Sequence, residues 1–149
     1  MAPVEPDKLR HHLDHIRGRL RQLRKVAAQG HEAFLADEIA QAATVRWLHT
    51  AIEAVIDVAN HVISREGLGI PRTYAEVIEL LVDHDVLARG HRERFLSMVR
   101  FRNRAVHLYD EIDADEVFDI LAYHLGDFDL FIGAITARYF QPPPPEEPR

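Results

Sequence analysis

Apolar residues recur three and four positions apart along most of the chain, the spacing that places them on one face of an α-helix. The first stripe covers about residues 6–29 and is followed by Gly30, a residue type that commonly ends helices. Its members are Leu9, Leu13, Ile16, Leu20, Leu23 and Val26. The pattern predicts an amphipathic helix with its apolar face against the core.

A longer helical pattern covers residues 37–65 and stops before Gly67. A short helix is predicted over residues 73–83, because Thr73 and Glu76 have the spacing of a capping box. Both segments begin with a residue type that accepts hydrogen bonds from the first free N–H groups of a helix. We therefore expect one long and one short helix here.

The rest of the chain carries two more helical patterns, over residues 87–109 and 113–139, the first of which is interrupted by Gly90. Residues 31–36 have no clear period and are predicted to be a connector. The fold class is therefore all-α. Four main helices with short connections bury their stripes most simply as an up-and-down four-helix bundle, to which the short helix is added.

One domain is expected from a length of 149 residues. We assign residues 1–140 to this helical domain. Residues 141–149 contain five prolines and cannot continue a helix, so they are predicted to form an extended or mobile tail.

The formal net charge is −6, which disfavours a broad, nonspecific surface for nucleic acid. The charge is uneven, since residues 110–129 are strongly acidic and a basic stretch precedes them. The arginines of this stretch are Arg92, Arg94, Arg100, Arg102 and Arg104. Any contact with RNA is therefore expected to be local and to involve them.

There is no cysteine, which excludes disulfides, thiolate zinc sites and cysteine nucleophiles. The ten histidines are scattered without a His-Glu-x-x-His spacing, so no metal site is expected. The N-terminus lacks the apolar core of a signal peptide, and no apolar run approaches the roughly 20 residues of a membrane span. We expect a soluble, cytoplasmic protein without membrane contact.

The chemistry-bearing pattern is Arg-x4-His-x-Tyr, formed by Arg102, His107 and Tyr109, with Asn103 directly after the arginine. Histidine transfers protons near neutral pH, and arginine stabilises the charge that builds on phosphate oxygens. RNA supplies its own nucleophile, the 2′-hydroxyl, so cleavage requires neither a metal nor a cofactor. The residue types therefore suit phosphodiester cleavage, with His107 as acid/base and Arg102 as phosphate clamp.

Helix geometry complicates this assignment. Arg102 and His107 are five positions apart, so at about 100° per residue they point roughly 140° away from each other. Asn103 lies one turn before His107 on the same helix face, where it can orient the imidazole or bind phosphate. A single helix therefore presents the arginine and the histidine together poorly.

The segment from Arg102 to Tyr109 resembles the HepT-like branch of the HEPN proteins. In that branch Arg-Asn-x-x-Val-His-x-Tyr lies near the end of a helix, just before the last helix, and this chain matches every fixed position. Residues 51–61 and 71–74 add further similarity. The resemblance covers about residues 9–139.

The resemblance implies the toxin of a type VII toxin–antitoxin system in a prokaryote, a metal-independent endoribonuclease with RNA as substrate. It also implies a homodimer in which two motifs face each other in a shared cleft. Tyr109 would be the residue to which a MntA-type nucleotidyltransferase antitoxin attaches AMP. Arg100 and Arg104 would support RNA binding, although both also fit an ordinary solvated face paired with acidic residues.

Two other functions remain open from the sequence. The chain could be a non-catalytic helical partner of a nucleotidyltransferase that binds nucleotide or RNA through Arg102, Asn103 and His107. A metal-dependent four-helix enzyme is the third possibility, but its Glu-x-x-His signature on two helices is missing. Asp57 and Asn60 are accordingly expected to make structural hydrogen bonds or to line the cleft.

Overall fold

A computed structural model describes residues 2–140, and within them the chain forms seven α-helices and no β-strand. The helices are α1 (Pro6–Ala28), α2 (His31–Leu35), α3 (Glu38–Glu66), α4 (Tyr74–Asp83), α5 (Arg92–His107), α6 (Ala114–Tyr123) and α7 (Gly126–Tyr139). The prediction of an all-α helical bundle is confirmed. The predicted proline-rich tail, residues 141–149, lies outside the described residues.

The long helices α1 and α3 pack against each other and form the centre of the bundle. All six apolar residues of the first stripe are buried on α1, as their spacing predicts. Helix α3 also contacts α4, α5 and α6, and its buried side chains are almost all apolar. Since the other helices are arranged around it, α3 forms one wall of any site on α5.

Local side chains set several helix ends. The Asp37 carboxylate accepts the N–H of Ala40 at 3.0 Å at the start of α3. The Thr73 hydroxyl accepts the N–H of Glu76 at 3.1 Å at the start of α4, while the Glu76 carboxylate accepts the N–H of Arg72 at 2.6 Å. The predicted cap at Thr73 is thus present, and it fixes where α4 begins.

Two expectations about the elements are wrong. Residues 31–36 are not a plain connector, because they contain helix α2, which buries Phe34 in the core. Residues 113–139 do not form one helix, since α6 and α7 are bent by 46° at the break between them. Gly126 disfavours helix continuation there, and Asp127 in the next position pairs with Arg94 of α5 at 3.0 Å.

Aromatic side chains fill much of the core. Phe95, Phe101, Phe128 and Phe131 are buried, and Trp47 and Phe118 pack against them partly exposed. The predicted interruption at Gly90 is also present, as a 3-10 turn over Arg89–His91 before α5. Among the described residues no single helix has the length and hydropathy of a membrane span, and α6 with α7 reaches it only as a bent pair.

Candidate active site

Helix α5 carries the predicted motif and ends within it. Its buried residues recur three and four apart and hold the helix against α3 and α4. They are Phe95, Leu96, Met98, Val99, Phe101 and Ala105. The helix stops at His107, where the N–H of Leu108 donates to the carbonyl of Arg104 at 2.7 Å. Tyr109 then begins a 3-10 turn that leads to α6.

Arg102 points toward α3 and α4 and is held by three contacts. Its Nη2 donates to Glu53 Oε1 on α3 at 3.1 Å, and its Nη1 donates to Asn103 Oδ1 at 3.2 Å. Its Cζ lies 4.6 Å from the centre of the Tyr74 ring on α4, which is cation–π distance. Only 13% of the Arg102 side chain is exposed. The guanidinium therefore has a defined position at the junction of three helices.

Glu53 is itself fixed by His49, one turn earlier on α3. His49 Nε2 lies 2.8 Å from Glu53 Oε1, the oxygen that also accepts from Arg102. Partial burial would raise the pKa of Glu53, but the hydrogen bonds from His49 and Arg102 outweigh it and lower that pKa below its ordinary value. Glu53 is therefore ionised at neutral pH.

His107 and Tyr109 lie at the open end of α5. Both are exposed, Tyr109 to 51%, and neither side chain makes a hydrogen bond or ion pair to any residue in the range 2–140. Asn103 contacts Arg102 rather than His107. Within one chain the structure thus brings Arg102 together with Asn103 but leaves His107 and Tyr109 facing solvent.

Arg100 and Arg104 are paired with acidic side chains. Arg104 binds both carboxylate oxygens of Glu116 on α6, with Nη2 to Oε2 at 2.9 Å, and this contact raises the pKa of Arg104. Arg100 Nη2 lies 3.3 Å from Glu93 and 3.2 Å from Ser97 on its own helix. Arg100 and Arg104 therefore lie on a helix surface where each arginine is paired with an acidic side chain.

Sequence reasoning did not assign Glu53, His49 and Tyr74 to the site. Glu53 and Tyr74 lie in residues 51–61 and 71–74, the two segments that carry the supporting resemblance. Their place in those segments was a signal in the sequence that could have pointed to them. Asn60 lines a depression of about 370 Å³ beside Tyr74, and Asp57 is exposed on the same helix. Across residues 2–140, the structure has no group of three or more His, Asp or Glu side chains placed to hold a metal ion.

The family model described as "Ribonuclease HepT-like" matches residues 16–135, which include the motif and all the contacts of Arg102. The chain belongs to the HepT-like ribonuclease family. Its sequence is 32% identical over 119 residues to the mRNA nuclease HepT of Shewanella oneidensis, covering 80% of this chain and 89% of that protein. It is 27% identical over 137 residues to the tRNA nuclease HepT of Aphanizomenon flos-aquae, covering 92% and 93% of the two proteins.

Solved structures agree with the family assignment of this HepT-like ribonuclease. The tri-AMPylated HEPN toxin of Shewanella oneidensis in complex with an MNT antitoxin superposes with a TM-score of 0.82 at 30% identity, covering 88% of this chain and 98% of that one. A toxin–antitoxin structure with AMP-PNP gives the same TM-score and coverage. The HepT-like chain therefore shares the fold of a toxin that is seen both modified and bound to its antitoxin.

Proposed function

We propose that this chain is the toxin of a type VII toxin–antitoxin pair, an endoribonuclease that cleaves RNA without a metal. The observation that carries the proposal is the complete motif on α5, with Arg102 held in place and His107 open to solvent. Relatives named as an mRNA nuclease and a tRNA nuclease support RNA as the substrate class. Cytoplasmic RNA of a bacterium is the corresponding target.

In the proposed reaction the 2′-hydroxyl of RNA attacks the adjacent phosphorus and the bond to the 5′-oxygen breaks. One proton must leave the 2′-hydroxyl and one must reach the departing 5′-oxygen, and His107 is the residue placed to transfer a proton. Arg102 binds the phosphate, whose charge grows on its non-bridging oxygens as the bond forms. This chemistry uses side chains of the protein alone.

A homodimer would complete the site. Arg102 faces α3 and α4, whereas His107 lies at the exposed end of α5, five residues further on. A second copy related by a two-fold axis would place its own motif opposite, so that the arginine of one protomer serves the histidine of the other. Two motifs in one cleft would also concentrate positive charge locally on an acidic protein.

Tyr109 is the proposed point of control. Tyr109 is exposed, as transfer of AMP from ATP by a MntA-like nucleotidyltransferase would require, and it lies two residues after His107. The transfer would join the tyrosine oxygen to the α-phosphorus and release pyrophosphate. The added phosphate is negatively charged, so it would repel RNA and fill the space beside the histidine. The modified toxin of Shewanella oneidensis supports this assignment.

The test is cleavage of a mixed RNA pool by purified protein in the presence of a chelator. The parent should cut RNA, and His107→Ala should reduce the rate by about 10²–10⁴-fold, the usual contribution of a general acid or base. His11→Ala, an exposed histidine on α1, is the matched control and should retain the parental rate. An unmodified parent that binds RNA equally well with or without His107, but never cuts it, would instead identify a binding partner.

Tyr109→Phe separates cleavage from control. With the cognate nucleotidyltransferase and ATP, the parent should gain the mass of AMP and lose activity, whereas Tyr109→Phe should gain none and continue to cut RNA. Tyr123→Phe, another exposed tyrosine, serves as the control for nonspecific transfer. Modification that persists in Tyr109→Phe and still inactivates the protein would assign control to another residue.

A further inference from the structure

The guanidinium of Arg102 has two of its hydrogen-bond donors engaged by neighbouring side chains. An arginine has five N–H groups, of which Glu53 and Asn103 accept one each here. The Nε atom is buried and has no partner among the described residues. One N–H therefore remains on each terminal nitrogen. Donors on both terminal nitrogens allow an arginine to bind two oxygens of one phosphate.

Glu53 determines which N–H groups of the guanidinium remain for a phosphate. Its Oε1 accepts from Arg102 Nη2 and from His49 Nε2 at the same time, at 3.1 Å and 2.8 Å. Only 16% of the His49 side chain is exposed, so the carboxylate is supported from the core side. The chain His49, Glu53 and Arg102 thus connects two helices through one oxygen atom.

Tyr74 restricts the remaining freedom of the arginine. It is the first residue of α4, directly after the capping residue Thr73, and the Cζ atom of Arg102 lies over its ring. A carboxylate bound to Nη2 and an aromatic ring beside Cζ together restrict where the guanidinium of Arg102 can lie. Neither contact is readable from the Arg-x4-His-x-Tyr motif itself.

We propose that Glu53 is a positioning residue, which holds the guanidinium of Arg102 in the orientation that binds the scissile phosphate. The inference rests on the proposed ribonuclease function. Glu53 acts through Arg102 and does not touch the substrate. Its negative charge lies close to where the phosphate binds, so it opposes RNA binding while it favours the reactive geometry. These two effects have opposite signs and can be measured separately.

Glu53→Ala should lower kcat by about 10–100-fold, because a displaced catalytic group commonly costs this much. Glu53→Gln keeps a hydrogen-bond acceptor and should lose less. RNA affinity, measured in a His107→Ala background, should be unchanged or up to about threefold tighter, since a negative charge has been removed. Glu79→Ala breaks the comparable pair between α4 and Arg92 and should retain the parental kcat.

A double substitution tests more strictly whether Glu53 acts through Arg102. In an Arg102→Ala background, Glu53→Ala should cause no further loss of kcat, because the residue through which it acts is absent. A further tenfold loss there would overturn the proposal, as would a Glu53→Ala protein that cuts RNA as fast as the parent or faster. Loss of RNA affinity with kcat retained would also overturn it.

Nuclear magnetic resonance of the guanidinium tests the contact without reference to cleavage. The Arg102 N–H signals, identified by their loss in Arg102→Ala, should be resolved in the parent and averaged or exchanged away in Glu53→Ala. If Glu53→Ala leaves them unchanged, the proposal is wrong whatever the activity. If they respond as expected but the parent cuts no RNA, the ribonuclease function fails while Glu53 still holds Arg102.

Discussion

The two ends of the segment from Arg102 to Tyr109 differ in how firmly the chain holds them. Arg102 is 13% exposed and contacts Glu53, Asn103 and Tyr74. His107 and Tyr109 are exposed, and their side chains make no hydrogen bond within residues 2–140. Over these eight residues the chain therefore passes from a position fixed by three helices to one open to solvent.

This difference corresponds to the two tasks that the segment would perform. A phosphate-binding group gains from being fixed before the substrate arrives, because no reorganisation is then needed during the reaction. A proton-transfer group and a modification site must be accessible, the first to RNA and the second to another enzyme. Under the proposed function, the single chain would contain a phosphate-binding half that is already fixed and an open half that a second copy would complete.

The largest effect is expected from mixing two inactive variants. The mixture tests whether Arg102 of one protomer works with His107 of the other. A heterodimer of one Arg102→Ala protomer and one His107→Ala protomer, isolated through two affinity tags, has one intact arginine and one intact histidine on opposite chains. If each site takes its arginine from one protomer and its histidine from the other, the heterodimer should recover about half the parental rate. That would be roughly 10² times the rate of either homodimer or more.

The control carries the same two substitutions, but both on one protomer. A heterodimer of the parent with an Arg102→Ala/His107→Ala protomer also has one arginine and one histidine, but both on one chain. Sites shared between chains predict no activity for it, whereas sites within one chain predict half the parental rate. An active control with an inactive complementing pair would therefore contradict the shared cleft.

Arg102→Lys tests whether the fixed half depends on shape or only on charge. Lysine keeps the positive charge but has no planar fork, so it cannot bind Glu53 and Asn103 together and still present two N–H groups to a phosphate. We expect kcat to fall by about 10–100-fold with the fold intact. Cleavage rate and circular dichroism are the measurements.

Arg92→Lys is the matched control for that substitution. Arg92 lies on the same helix and pairs with Glu79 and Glu93, outside the motif. This variant should cut RNA within about twofold of the parental rate, because lysine keeps the charge and ion pairs near the surface contribute little. Parental activity in Arg102→Lys would mean that a positive point charge suffices, and the contacts of Arg102 would then have no catalytic importance.

The sequence predicts the helices whose determinants are local. The stripe on α1 and the capping residue Thr73 each specify an element within a few residues, and both are present. The break between α6 and α7 was not predicted, because the apolar pattern continues through it. Its partner contact, Arg94 with Asp127, joins residues 33 positions apart and is invisible to a local pattern.

The residues of the site divide in the same way, into those that a local pattern predicts and those that only packing brings together. Arg102 and His107 are found because they lie within one short motif, but Glu53 is 49 positions away from Arg102. By their spacing of three or four residues, Glu53, Asp57, Asn60 and His61 could share one face of a helix. In the structure His61 instead accepts the N–H of Glu5, so those residues do not act as one face. Which distant carboxylate reaches an arginine depends on packing, and one sequence does not reveal it.

The smallest expected effect belongs to Arg104, two residues after Arg102. Both of its terminal nitrogens bind Glu116, so its charge is locally compensated and less available to RNA. Arg104→Gln should lower the cleavage rate by less than about threefold and change the salt dependence of RNA binding by less than one phosphate contact. Arg102→Gln, which makes the same substitution at the held arginine, should lose at least about tenfold.

Glu116→Gln tests further how Arg104 differs from Arg102, because it removes the carboxylate that pairs with Arg104 and keeps the arginine. If Arg104 is kept from RNA by that carboxylate, releasing it should tighten RNA binding by about twofold and steepen the salt dependence, with kcat unchanged. Salt titrations of RNA affinity in a His107→Ala background measure this. Equal losses in Arg104→Gln and Arg102→Gln would show that Arg104 leaves Glu116 when RNA binds, and that the phosphate-binding half extends beyond Arg102 along α5.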